Sequence, residues 1–225
     1  MAGPVHVGII LDGNRRYAKK NKLNLLKGHD YGVQRVWDLF DWAKELGIKE
    51  LTFYAFSTEN FKRDKREVEY LMGLFFREFD KLLKSGKLEK NRIKIRFIGR
   101  LYMFDENLKS KMEELMDFTK DFDGFTANFC MAYGGRTEIV DAVNRLIEKG
   151  VKKVDEDMIL KNLYLQSEPD LIIRTSEQRI SNFLMWQSAY SELIFLPDKL
   201  WPEFTKQDLI DCVEEFKKRQ RRFGK

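Results

Sequence analysis

Val5-His6-Val7-Gly8-Ile9-Ile10-Leu11 runs straight into Asp12-Gly13-Asn14-Arg15-Arg16-Tyr17-Ala18-Lys19-Lys20, and the junction of these two stretches decides the fold. The first is an almost unbroken apolar run and predicts a strand covered on both faces, while the basic run after it predicts the opening of a helix. A turn of this kind suits phosphate. Gly13 lets backbone approach a ligand, the first N–H groups of the helix have no partner inside it, and Arg15 and Arg16 add charge beside them. Asp12, at the strand's carboxyl end, puts an acid among these donors, which makes sense when a cation such as magnesium bridges acid and phosphate. Asp-Gly-Asn is also ordinary turn chemistry, so the rest of the chain has to separate the two readings.

The chain has 225 residues, a length that favours a single domain over residues 1–225, burying roughly 70–75% of its unfolded surface. Charged residues make up 34% and hydrophobic ones 43%, which excludes a disordered or membrane-spanning chain. No apolar run approaches the ~20 residues needed to cross a bilayer. The first strand follows the start so closely that no signal peptide is expected, and a cytoplasmic protein is. Cys130 and Cys212 follow no metal spacing and read as core thiols. Net charge is +5, but much of the excess sits in Lys217-Lys218-Arg219-Gln220-Arg221-Arg222. The aromatics look buried rather than arrayed for stacking bases, so no nucleic-acid partner is expected.

Outward from the first turn, strand and helix alternate. Residues 22–27 read as a loop and 28–46 as a helix with Val33, Val36, Trp37, Phe40 and Ala43 on one face. Leu51-Thr52-Phe53-Tyr54-Ala55-Phe56 predicts a second strand, ending in Ser57-Thr58-Glu59-Asn60-Phe61-Lys62-Arg63. Residues 65–84 predict a helix whose apolar arc, from Val68 through Leu71, Phe75 and Phe79 to Leu83, is broad enough to meet a core and also line a pocket for a long apolar ligand. Further strands are expected at 93–99, 125–132, 171–173 and 193–196, with helices at 105–120, from Gly135 to near 149, at 155–163 and from 205 onward. The fold class is therefore α/β, a mostly parallel six-stranded sheet flanked by helices, with ligands outside the strands' carboxyl ends.

Those ends bring together Asp12, Arg15, Arg16, Arg63, Arg174 and Arg179, with Ser57, Asn60, Ser181 and Asn182. So many guanidinium forks around so few acids argue for more than one phosphate group. Neither Gly-x-x-x-x-Gly-Lys-Ser/Thr nor Gly-x-Gly-x-x-Gly is present, which weakens nucleotide and dinucleotide readings. A polyphosphate head beside a Phe-rich wall describes an amphiphile, and a prenyl diphosphate is the simplest.

Five motifs in order now resemble a known family: Asp12-Gly13-Asn14-x-Arg16; Tyr54-Ala55-Phe56-Ser57-x-Glu59-Asn60; Tyr133-Gly134-Gly135-Arg136; Arg174-Thr175 with Arg179-Ile180-Ser181-Asn182-Phe183; and Ala189-Tyr190-x-Glu192-Leu193. They look like the cis-prenyltransferases of the undecaprenyl diphosphate synthase (isoprenyl transferase) type, across almost the whole chain. The resemblance implies an apolar tunnel and an enzyme that condenses isopentenyl diphosphate onto an allylic diphosphate, farnesyl or geranylgeranyl, to make a Z-polyprenyl diphosphate. It places the allylic head at Gly13, Asn14, Arg15, Arg16, Tyr17 and His29, and isopentenyl diphosphate at Arg174, Arg179, Ile180 and Ser181. Ser57, Thr58, Glu59, Phe61 and Arg63 belong to the same substrate region, and Asp12 and Glu192 share Mg2+. Asp12 and Asn60 are the catalytic pair it implies, with Asn60 orienting and a diphosphate oxygen taking the proton. Arg222-Phe223-Gly224 fits a terminal Arg-x-Gly motif that crosses to the neighbour's site, which implies a homodimer; an apolar product would bring peripheral membrane contact.

Blander readings stand beside these. His29 reads equally as a core residue at a helix start, Glu59 as a surface ion pair, Phe61 as packing and Arg136 as structural. A non-catalytic or weakly active partner subunit is the alternative function. Two departures from the family fall at the diphosphate sites. Leu25 stands where an Arg is usual, leaving Lys22 or Lys27 as substitutes that lack a bidentate fork. The Arg174–Arg179 loop is one residue short. Ala55 is small, which favours a deep tunnel and a medium or long product.

Overall fold

A computed structural model describes residues 3–219. Six strands, β1 (His6–Ile10), β2 (Glu50–Ser57), β3 (Ile93–Ile98), β4 (Phe125–Tyr133), β5 (Leu171–Thr175) and β6 (Glu192–Leu196), form one sheet in the order β3-β4-β2-β1-β5-β6. Every pairing is parallel. All residues of β1 are buried, as its unbroken apolar run requires between two helical layers. Its last residue, Ile10, lies opposite Tyr54 of β2 and Arg174 of β5. The polar clusters that follow these three strands therefore leave the sheet side by side.

The crossovers supply α1 (Asn14–Lys20), α2 (Lys27–Glu45), α3 (Lys65–Lys84), α4 (Lys87–Asn91), α5 (Glu106–Thr119), α6 (Gly135–Glu148), α7 (Glu156–Asn162) and α8 (Lys206–Lys218). The larger apolar core lies between the sheet and α2, α3, α5 and α8. A smaller one is built on Ile10, Ile98, Cys130, Tyr133 and Ile172. Caps set several boundaries: the Asp64 side chain accepts from the Arg66 N–H at the start of α3, and Asp105 accepts from the Leu108 N–H at the start of α5. Both cysteines are buried thiols.

The sequence-based elements correspond closely, with three differences. β5 runs on to Thr175, so Arg174 is a strand residue held in register with Ile10. Glu192 belongs to β6 and is its first residue. The short α4 was not expected, because five residues with only Leu88 buried are too few for a helical period to register.

Two backbone features shape the site. Ala55 sits where the β2–β4 register slips, between the pairs Tyr54–Cys130 and Phe56–Met131; such irregularities re-aim side chains beside active sites. Gly28 of α2 lies against α1 so closely that a Cβ there would stand 2.0 Å from the Asn14 carbonyl oxygen. The two helices therefore meet at the first turn, and α2 departs from there alongside a cavity rather than across it.

Candidate active site

The strand ends open into one cavity of about 1350 Å³, larger than the roughly 300–1,000 Å³ of pockets for drug-sized ligands. Its mouth is polar and its depth is apolar. Asp12, Gly13, Asn14, Arg15, Arg16, His29, Ser57, Glu59, Asn60, Arg63, Arg174 and Ser181 all line it. Further in, Val33, Val36 and Trp37 of α2 face Leu71, Leu74, Phe75 and Phe79 of α3, with Ala55 and Phe129 from the sheet. The broad stripe of α3 thus serves core and channel together.

Gly13 makes the first turn possible. Its φ of 111° lies in the left-handed region, and a Cβ there would meet the Ser176 hydroxyl at 2.5 Å. Beyond it Asp12 is gripped from two sides: Arg16 Nη2 donates to Oδ1 at 3.0 Å and Arg174 Nη2 to Oδ2 at 2.8 Å. Arg174 is almost fully buried and also donates to Ser181 Oγ at 2.6 Å and to the Arg179 carbonyl. Glu177 closes the constellation, accepting from Arg16 at 3.4 Å and Arg174 at 3.2 Å and pairing with Arg179. A carboxylate therefore sits among three guanidinium groups. The space suits a larger anion.

A second hub stands on α3. Glu67 is buried, with Arg63 at 3.0 Å, His29 Nε2 at 3.4 Å and Arg15 at 3.6 Å. Burial pushes the His29 imidazole below its usual pKa, against the pull of Glu67, so this side chain is neutral at ordinary pH. Ser57 and Asn60 fix the second polar cluster: Asn60 Oδ1 accepts from the Ser57 N–H at 3.1 Å in a reciprocal capping box. That leaves the Asn60 amide nitrogen to face a ligand. Partial burial works against ionisation of Glu59, but hydrogen bonds from its own N–H, Ser57, Asn182 and Thr58 outweigh it and hold the carboxyl below its usual range.

Other expected site residues are placed elsewhere. Tyr17 packs its ring on Tyr31, with centroids 5.3 Å apart. Phe61 packs on Phe56 and Phe104, at 4.9 and 5.6 Å, as an aromatic in the core would. Neither of these, nor Thr58 or Ile180, lines the cavity. Arg179 is exposed and reaches the site through Glu177. Within the chain, Asp12 and Glu192 lie apart. Glu192 lies opposite Leu171 at the start of the parallel strands, roughly 10 Å behind Arg174 at about 3.3 Å per residue, and it pairs with Arg219 at 3.0 Å. Arg222 and Gly224 lie outside the described residues.

Both departures have a structural form. Leu25 lines the mouth, half exposed; Lys27 is paired with Asp30 at 3.1 Å, and the lysine that lines the cavity is Lys19. The short loop holds Ser176 at φ of 72°, and the segment after it holds Ser181, Asn182 and Leu184 at 45°, 65° and 42°, a region that costs a non-glycine residue roughly 1–2 kcal/mol. Sequence reasoning missed Glu177, Glu67, Lys19 and Glu78. Glu177 lies within the Arg174–Arg179 loop, and Glu67 stands four residues after Arg63, the one helical signal that pointed to it.

Among the described residues no cluster of three or more His, Cys, Asp or Glu could hold a metal ion. Asp12 and Glu177 are the acids at the arginines. One or two carboxylates suit a magnesium ion that arrives on a diphosphate and keeps much of its water, so the donor set fits a substrate-borne ion.

Comparisons with known proteins agree with this geometry. Residues 10–224 match the prenyltransferase family model, described as undecaprenyl diphosphate synthase. An isoprenyl transferase of Thermotoga maritima is 47% identical over 98% of this chain and 97% of its own. A tritrans,polycis-undecaprenyl-diphosphate synthase (geranylgeranyl-diphosphate specific) of Thermoplasma volcanium is 46% identical over 99% of this chain and 89% of its own. The crystal structure of lavandulyl diphosphate synthase from Lavandula x intermedia, in complex with dimethylallyl diphosphate, superimposes with a TM-score of 0.94 at 33% identity, covering 100% of this chain and 99% of that one. An arginine-lined mouth at the strand ends, an apolar channel behind it and relatives matched from end to end converge on one assignment: the chain belongs to the cis-prenyltransferase family, of the undecaprenyl diphosphate synthase type.

Proposed function

We propose that the protein elongates prenyl chains, condensing isopentenyl diphosphate onto an allylic diphosphate of the farnesyl or geranylgeranyl type to give a Z-polyprenyl diphosphate. One observation carries this reading: arginines at the mouth and an apolar channel behind them line the same cavity. Polar recognition of a head and apolar room for its tail are joined.

The allylic diphosphate rests on the first turn of α1 beside Arg16 and His29, its tail running past Ala55 between α2 and α3. Isopentenyl diphosphate takes the fork of Arg174 and Arg179 with the Ser181 hydroxyl, displacing Glu177. Donors aimed at the departing diphosphate stabilise the charge that ionisation separates, the largest contribution such a site can make. Magnesium, held by Asp12 and brought by the diphosphate, supplies further charge neutralisation when bound. Leu71, Leu74 and Phe75 line the channel with apolar side chains, which limits water around the reacting carbon. Asn60, its oxygen held by the Ser57 N–H, orients the partner; an amide is no base at neutral pH, and a diphosphate oxygen takes the proton.

The working unit is a homodimer in which Arg222 and Gly224 reach the neighbour's diphosphate. The enzyme is cytoplasmic, touching the membrane through its product, and no helix among the described residues is long and apolar enough to cross one. Incubation with labelled isopentenyl diphosphate, Mg2+ and primers of increasing length tests the elongating activity. Labelled polyprenyl diphosphate from the wild type is expected, and no incorporation with any primer would overturn the reading.

A further inference from the structure

Two donors close on the backbone oxygen of Asp12. The hydroxyl of Thr175, the last residue of β5, donates to it at 2.7 Å, and the backbone N–H of Trp201, which opens the short turn Trp201–Glu203, donates at 2.9 Å. A carbonyl oxygen can only accept, so the direction of both bonds is fixed. Both donors stand on packed residues. Thr175 and Trp201 are fully buried, and the Trp201 indole donates to the Gly32 carbonyl of α2 at 2.8 Å while its ring stacks on Phe204 at 5.4 Å.

The consequence lies on the other side of the same peptide. In a trans peptide the C=O and the N–H point in opposite directions, and no cis bond occurs among the described residues. With the Asp12 oxygen drawn toward β5 and Trp201, the Gly13 N–H points away from both donors, toward the mouth that Asp12, Gly13 and Arg16 line. Among the described residues no backbone carbonyl receives it. Gly13 does not enforce this orientation by itself. Turning the peptide over would carry its φ from 111° to roughly −70°, and glycine takes either sign about as readily. The choice is therefore made by the two donors on the Asp12 oxygen.

We propose that Thr175 is a positioning residue for the allylic diphosphate: its hydroxyl, with the Trp201 N–H, selects the peptide orientation that presents the Gly13 N–H to that group. The inference rests on the elongating function proposed above. Thr175→Val keeps the shape of the side chain and removes the donor, whereas Thr175→Ser keeps the donor. The neighbour in the strand sharpens the distinction, because in the proposed reaction Arg174 holds isopentenyl diphosphate. A disturbance of β5 as a whole would reach both substrates. A peptide turned over at Gly13 would reach the allylic one alone.

The test follows the Gly13 amide itself. Asp-Gly occurs in the chain at 12–13 and 123–124, so protein carrying 13C at its Asp carbonyls and 15N at its glycines gives one selected amide signal for each. Gly124, whose N–H donates to the Arg92 carbonyl at 3.0 Å, is the control. With pyrophosphate and Mg2+ the wild-type Gly13 signal is expected to move downfield while Gly124 stays in place. In Thr175→Val that movement should shrink and pyrophosphate should bind roughly threefold to tenfold more weakly, the order of effect of one hydrogen bond; Thr175→Ser should restore both. The KM for the allylic primer should rise in Thr175→Val and that for isopentenyl diphosphate should not. Each variant is first checked by thermal melting, and Thr175→Ala replaces Thr175→Val if the latter does not fold. A wild-type Gly13 signal that ignores bound pyrophosphate would overturn the proposal without any variant, as would a Thr175→Val protein that binds and shifts like the wild type. Equal rises in the two KM values, or a Thr175→Ser protein no better than Thr175→Val, would overturn it by giving Thr175 a purely structural role. A wild type that binds no pyrophosphate takes down the functional reading and the positioning together, whereas one that binds it and moves Gly13 but elongates no primer removes the elongating function alone.

Discussion

The mouth and the floor of the channel are held in opposite ways. At the mouth, Arg16, Arg174 and Arg179 are kept in place by Asp12 and Glu177, acids that a diphosphate can replace. At the floor, Phe53, Phe79, Phe97 and Phe129 pack on one another with centroids 4.7 to 6.1 Å apart. Charges that are already paired exchange partners at little cost, whereas a packed aromatic cluster resists any change of volume. Substitutions at the mouth should therefore alter binding and turnover, and substitutions along the walls should alter what product is made. The experiments below are chosen to break that division.

The largest effect is expected at Asp12. Its carboxylate is the acid shared by Arg16 and Arg174, and the proposed function gives it the metal on the diphosphate. Asp12→Ala should lower kcat by roughly 10²–10³-fold, the size of effect seen when one preorganised electrostatic group is lost, while product length from the residual activity stays as in the wild type. Single-turnover incorporation measures the first and product sizing the second. A shifted length would mean that mouth and channel are not separable.

Ala55 tests the wall. It faces the cavity at the β2 irregularity, so Ala55→Leu places its added volume in open space rather than in the packed core. The expected outcome is a shorter main product with a melting temperature close to wild type. A drop of many degrees instead would show that the space beside Ala55 is filled by packing, since overfilling a tight core typically costs about 1–3 kcal/mol.

How much of this was legible in the sequence follows the same division. The channel wall could be read from α3 because an apolar arc at helical spacing is a local signal, and 65–84 is where the helix lies. The site's position followed from β1, since a strand buried on both faces implies a parallel sheet with ligands at its carboxyl end. Glu177 against Arg16, 161 residues apart in the chain, and Trp37 against Glu78, 41 apart, have no such signal; only the packed fold brings them together. The distance between Glu192 and Asp12 was hidden for a different reason. A residue that begins a parallel strand lies at the end opposite the strands' carboxyl ends, and being near Leu193 in a motif conceals which end that is. Tyr17 and Phe61 were assigned to the substrate by the resemblance, and the structure adds that each ring packs on another, Tyr31 and Phe56.

A smaller effect is expected at Glu177. If its carboxylate stands in for a diphosphate, Glu177→Gln should tighten binding of inorganic pyrophosphate by roughly threefold to tenfold, the equivalent of releasing a partly exposed ion pair worth about 1 kcal/mol. Titration calorimetry reads it directly. Weaker binding would give Glu177 the reverse role, that of holding the arginines ready for the ligand.

The smallest effect compares the mouth with the back of the sheet through the two histidines. His29 lies at the mouth and His6 begins β1 at the opposite end, hydrogen-bonded to Thr52 at 2.7 Å. Burial lowers the pKa of both below the ordinary value of 6.5, although Glu67 and Glu50 pull the other way. The unfolded chain therefore takes up protons at these sites at a higher pH than the folded one, so the stability they contribute is complete above pH 6.5 and is lost progressively as the pH falls below it. His29→Gln should make the fall in melting temperature below pH 6.5 shallower without abolishing it, because His6 still has to be charged in the core. Added pyrophosphate should flatten the remaining slope only if a neighbouring anion makes His29⁺ acceptable, so in the His29→Gln variant it should have no such effect. A slope that responds to pyrophosphate in both proteins would place the titrating group elsewhere at the mouth, and one that responds in neither would show that the His29 ring does not sense the diphosphate.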